Sequence, residues 1–195
     1  MKVLVVILCI SIFTLVTSLV ITNSYWSNVL SNIFSGFVTG IAIMLISGTR
    51  QIYVAKLEET LQWLQELRKL IVDFREDYRR FLLKQYNGSS RDEFIYDMGS
   101  HANWINDYIL ASTSSDQTID GRKYCKVHYG YDADSMADFM NSLHDSLLSL
   151  DYDDDSQVVE LFRPVLKAIF PLHTNIQSSI SGIKSRLKSV QHSII

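Results

Sequence analysis

Two runs of the chain, Val3–Thr22 and Val29–Gly48, each continue for twenty residues without a charge. A helix of that length, rising about 1.5 Å per residue, matches the roughly 30 Å hydrocarbon layer of a bilayer. Two such runs are hard to enclose in the core of one small soluble domain. The expectation is a two-helix transmembrane hairpin in residues 1–49, with spans of about 3–22 and 29–48 joined by the link Asn23–Asn28. The chain beyond it is of another kind. Only Lys2 is charged before Arg50, whereas residues 50–195 carry 17 Lys/Arg against 21 Asp/Glu, a net charge of −4. That is ordinary globular composition with enough length for a modest core, and it is read as a cytoplasmic domain.

The first run begins Met1-Lys2, as secretory signals do, but it is longer than the usual h-region and lacks an Ala-x-Ala end. A second spanning stretch follows almost at once, so the run is read as a retained anchor. Cys9 lies in that run and Cys125 in the distal domain, which argues against a disulfide between them and suits a reducing compartment. Lys2, Arg50 and Lys56 flank the side opposite the uncharged link, so both termini are expected in the cytoplasm. Tyr25, Trp26 and Tyr53 fit interfacial positions. In the second run, Gly36 and Gly40 form a Gly-x-x-x-Gly pair that lets helices approach closely in lipid. Neither run contains an ionisable residue, which argues against a secondary transporter.

From Arg50 the pattern turns amphipathic. Leu57, Leu61, Leu64, Leu67, Ile71, Phe74, Tyr78 and Phe81 recur at steps of three and four, and the second span is expected to continue as one helix to Asn87-Gly88. Phe94, Ile95, Met98, Ala102, Ile105 and Ile109 mark a further helix over 91–111, followed by a loop. Another helix is expected after Asp132 or Asp134, using Met136, Phe139, Met140, Leu143, Leu147 and Leu150. A fourth should run from near Ser156 through Leu161 and Leu166 to Phe170, where Pro171 ends it. A last one shows Ile176, Ile180, Ile183, Leu187 and Val190. The fold class expected is all-α: a helical bundle on a two-helix anchor. Charge is sorted along it, with nine acids and no Lys/Arg in 132–160 and five Lys/Arg and no acid in 161–195. Opposite faces of that kind can set register within a bundle or between subunits.

The stretch GRKYCKVHYGYD, Gly121–Asp132, falls outside these stripes and reads as a loop or short strand pair. Arg122, Lys123, Lys126 and His128 are interleaved with Tyr124, Tyr129 and Tyr131. Cationic groups neutralise phosphates and rings stack on bases, so Arg122, Lys123, Lys126, His128, Tyr129 and Tyr131 are the candidate ligand-binding residues. The competing reading is a surface connection whose tyrosines pack on the core. Arg75, Arg79, Arg80 and Lys84 form a second basic group, read as a helix face. Arg122 and His128 also have the spacing of the Arg-x4–6-His pair of HEPN-type ribonucleases, the one enzymatic alternative. The five histidines have no paired metal-ligand spacing, and Asp151–Asp155 lacks the Gly and terminal Glu of a calcium loop. No metal, cofactor or catalytic residue is expected, nor any duplex DNA partner.

Two uncharged spans, Gly36-x-x-x-Gly40 in the second and a compact helical cytoplasmic domain together resemble the small two-span membrane effectors of bacterial antiviral defence. Among these the architecture is most similar to CRISPR-associated effectors whose soluble domain binds a cyclic oligoadenylate. The resemblance implies a homo-oligomer in the bacterial inner membrane that binds a cyclic oligonucleotide and perturbs the bilayer, with no enzymatic activity. A membrane-tethered binding or scaffold protein is the alternative.

Overall fold

The computed structural model describes residues 24–86, 88–111, 119–151 and 154–192, with scattered helical positions between 12 and 20. All secondary elements among them are α-helices: α1 Ser24–Leu82, α2 Arg91–Ala111, α3 Gly121–Tyr129, α4 Ala133–Leu148 and α5 Asp155–His192. The all-α expectation holds at that level. The chain divides into two compact units, Met1–Ala55 and Lys56–Ile195.

In the first unit, most of the expected span 3–22 lies outside the described residues. The second span forms part of α1, the one described helix long and apolar enough to cross a membrane. No residue in its most apolar window is buried, and Ile33, Val38, Ile43, Met44, Leu45 and Ile46 stand exposed. Ser24–Asn28, read above as part of a link, instead forms the first turns of α1. These residues contain no Gly or Pro to oppose a helix.

The second unit is organised around one continuous apolar core. α1 contributes Trp63, Leu64, Leu67, Ile71, Phe74 and Phe81, and α2 contributes all six residues of its expected stripe. α1 stops at Leu82, earlier than Asn87-Gly88, where Lys84 takes a left-handed conformation with φ 55°. Ser90 then caps α2: its Oγ accepts from the Glu93 amide at 3.2 Å, supplying one of the partners a helix start lacks. α2 packs along α4. A Cβ at Gly99 would lie 2.5 Å from Leu147 Cδ1, so the absence of a side chain there sets how near the two helices come.

The expected loop at 121–132 is mostly helix, because its two ends are capped. Asp120 accepts from the Lys123 amide at 2.9 Å, and Gly130, at φ 67°, turns the chain left-handed while its amide bonds the Lys126 carbonyl at 3.2 Å. That is an αL cap, for which glycine carries no Cβ penalty. Tyr124, Cys125 and Tyr129 turn inward or partly inward, and α3 touches α2, α4 and α5.

The largest departure is at the end. Pro171 does not end a helix: α5 runs for 38 residues through both Pro164 and Pro171. Its buried stripe is Val158, Phe162, Val165, Ile169, Leu172, Ile176, Ile180 and Ile183; Leu161 and Leu166, through which the helix was expected to run, are half-buried beside it, and Phe170 is exposed. The steps of three and four pass the prolines without a break. Both prolines are exposed, on the side away from the stripe, so the carbonyls of Glu160 and Lys167, which lose their helical donors, can bond to water. A proline inside a helix costs about 3 kcal/mol, which burial of several aliphatic side chains, at roughly 1.5–3 kcal/mol each, offsets.

Candidate ligand surface on α3

Helix α3 sorts its residues by face. Gly121 and Cys125 are buried, Tyr124 and Tyr129 are half-buried, and Arg122, Lys123, Lys126, Val127 and His128 are exposed. Of the sequence-derived candidates, the helix therefore presents Arg122, Lys123, Lys126 and His128 outward. Tyr131 is elsewhere. It lies in the core, where its hydroxyl donates to Asn106 Oδ1 at 3.0 Å while Asn106 Nδ2 donates to the Ala133 carbonyl at 3.2 Å. Burial raises its pKa, so it remains a neutral donor.

The outward cations are partly neutralised by the start of α4. Arg122 Nη1 lies 3.1 Å from Asp134, and Lys126 Nζ lies 2.9 Å from Asp132. The Lys126 ammonium holds the Asp132 carboxyl below its usual range, and Asp132 in turn raises Lys126. Both pairs are exposed, so solvent screens them and they contribute little to stability. A multivalent anion can exchange for those carboxylates at little cost. Among the described residues, Lys123 has no ion-pair partner.

Behind these cations the rings connect. His128 sits 4.4 Å from Tyr124, Tyr124 meets Tyr129 at 5.7 Å and Trp63 at 5.7 Å, and Trp63 stacks on Tyr108 at 6.0 Å. The Tyr108 hydroxyl donates to Glu66 at 2.7 Å, which keeps the Glu66 carboxyl below its ordinary value. The Tyr129 hydroxyl is enclosed near Ser179 and Tyr124 without a hydrogen bond of good geometry. Burial also pushes the Cys125 thiol up to about 12, which makes it a packing residue and a poor nucleophile. Arg122 and His128, six residues apart on one helix, point in directions roughly 120° apart.

Residues paired through the fold escaped the sequence reading. Asp77 on α1 bonds His101 Nδ1 on α2, and the His101 ring packs 4.7 Å from Trp104, beside a cavity of about 300 Å³ that Leu70 and Arg80 also line. His173 on α5 meets Arg75 on α1. These partners are 24 and 98 residues apart, and no local spacing announces them. Among the described residues no group of three His, Cys, Asp or Glu could hold a metal ion. Among the described residues, nothing lies within 4 Å of where a side chain would begin at Gly36 or Gly40. Comparison with protein families, with curated proteins and with solved structures gives no match for this chain.

Proposed function

We propose that the chain is an oligomeric membrane effector: an N-terminal two-helix hairpin anchors it in a bacterial inner membrane with both termini cytoplasmic, and its helical domain senses a nucleotide or similar anionic signal. The observation that carries this reading is the composition of α1. One helix holds a long apolar segment in which no residue is fully buried and, further on, six residues of a protein core. A ligand that favours one packing of that core then biases the state of the apolar segment, provided its affinity differs between the two. Arg122, Lys123, Lys126 and His128 on α3 are the proposed contacts for phosphate and base, and Gly36 and Gly40 the proposed seam between copies. A cyclic oligonucleotide is the ligand class that suits clustered cations beside rings.

A second reading is a passive tether without channel activity. It draws support from the Asp134 and Asp132 pairings, which already occupy two of the α3 cations. One experiment separates them: the full chain reconstituted in dye-loaded vesicles, challenged with a panel of cyclic oligonucleotides. Release with one ligand, lost in Arg122→Ala/Lys126→Ala, supports the effector. Retention of dye across the panel by protein that is folded and inserted leaves the tether.

A further inference from the structure

Most arginines of the second unit are neutralised by a neighbour. Arg79 and Arg80 share Glu76, Arg91 meets Asp155, Arg122 meets Asp134 and Arg163 meets Glu160. Arg68, Arg75 and Arg186 differ: among the described residues, none of the three has a carboxylate within ion-pair distance.

Arg75 is held in place all the same. Its guanidinium lies over the Phe170 ring, 5.1 Å from the centroid, and its Nη1 is 3.2 Å from His173 Nδ1. A guanidinium can only donate, so Nδ1 accepts and the neutral ring carries its proton on Nε2. That Nε2–H is enclosed and has no acceptor among the described residues. Burial first, then Arg75 and Arg68, lower the pKa of His173 and keep the ring neutral. The result is a fixed guanidinium, Arg68 about two helical turns before it on the same face of α1, and a half-buried imidazole whose enclosed Nε2–H lacks an acceptor. A planar fork of this kind matches the oxygens of a phosphate.

Beside Arg75, a groove of about 420 Å³ between α1 and α5 is walled by Val72, Leu82 and Phe170, with Arg79 and Glu76 also lining it. Glu76 is engaged by Arg79 and Arg80, so its charge is already answered. An apolar wall next to a cationic corner fits an ester whose charged end is a phosphate and whose body is not charged.

We propose that Arg68, Arg75 and His173 form a site for a phosphate-type anion, a phosphomonoester or phosphodiester whose attached body lies along the Val72–Leu82–Phe170 groove. The site uses no residue of α3 and does not depend on the effector reading. Its ligand can come from solution or from a phospholipid headgroup, and the test tells them apart. The full chain is placed in phosphatidylcholine nanodiscs, and its melting midpoint is read with sodium phosphate and with sodium chloride at equal ionic strength, then in nanodiscs containing phosphatidylglycerol. Binding to the native state raises the midpoint. A rise with inorganic phosphate assigns a soluble ligand; a rise with phosphatidylglycerol alone assigns a headgroup. Either rise must vanish in Arg68→Gln/Arg75→Gln and persist in Arg186→Gln, at an exposed position of α5 outside the groove. Should the double variant lose its cooperative transition, Arg68→Gln alone, at an exposed position, must at least halve the rise. No rise with either probe overturns the site. So does an equal rise in the arginine variants, since phosphate also stabilises proteins by exclusion from their surface.

Discussion

The two ends of α1 obey different rules for the same residue types. Between Trp63 and Phe81 six apolar side chains are buried along one stripe, and the other face is mostly polar, with Val72 exposed among it. Between Ile33 and Ile46 the apolar side chains are spread round the helix and none is buried: Phe34, Phe37 and Ile41 are half-buried and the others exposed. The first pattern is that of a helix facing a protein core through one stripe. The second is that of a helix whose surroundings are apolar on every side, as in lipid. Hydropathy alone does not separate these cases; the angular distribution of the apolar residues does.

The sharpest way to break this comparison is to cut one apolar side chain from each end. Phe74→Ala removes a fully buried ring and should destabilise the second unit by about 3–5 kcal/mol. Val38→Ala should alter its stability by less than about 0.5 kcal/mol. Denaturant unfolding of the full chain in detergent micelles, followed by circular dichroism, measures both, and similar losses would show that the ends do not differ. A charge tests the other end: Ile43→Lys should disfavour insertion by about 3 kcal/mol and move the protein out of the carbonate-resistant membrane fraction. If the variant remains there, the apolar half of α1 is not the anchor.

Glycines give a finer contrast. Gly130→Ala places a Cβ at a left-handed residue and should cost roughly 1–2 kcal/mol, measured in the same unfolding assay. Gly40→Ala, at a helical position with open space around it, should leave that assay unchanged. If copies pack through Gly36 and Gly40, a bulkier Gly40→Leu instead shifts the oligomer distribution seen by cross-linking. The smallest effect is electrostatic. The Arg91 guanidinium, with Lys84, holds the Asp155 carboxyl below its ordinary 3.8. A depressed pKa contributes stability that is complete above the unfolded value and is lost as pH falls through the folded one. The midpoint should therefore drop on acidification below 3.8, less so in Asp155→Asn, with a small amplitude because solvent reaches and screens the pair.

Much of the second unit was legible because its helices bury through regular stripes. Ile95, Met98, Ala102, Ile105 and Ile109 could be placed inward from spacing alone. Two things misled. Pro171 reads as a stop because a local rule sees only the lost hydrogen bond, whereas the stripe Ile169, Leu172, Ile176 carries the helix across it. The basic segment at 121–129 reads as a loop because nine residues are too few for a clear period, although Asp120 and Gly130 were the signals that bound it. Of the candidate site, the outward cations of α3 could be named from composition, but their partners could not. Asp134 and Asp132 look like part of an acidic run, and the Arg75–His173 contact joins residues on different helices.

The aromatic packing leaves the chain with its own set of optical probes. Its three tryptophans occupy three surroundings: Trp26 is 56% exposed on the apolar part of α1, Trp63 is 4% exposed beneath Tyr108 and Tyr124, and Trp104 is 52% exposed next to His101. An indole reports the polarity around it through the colour of its emission. Single-tryptophan variants would therefore follow anchor, core and solvent-facing surface in one molecule, without a label.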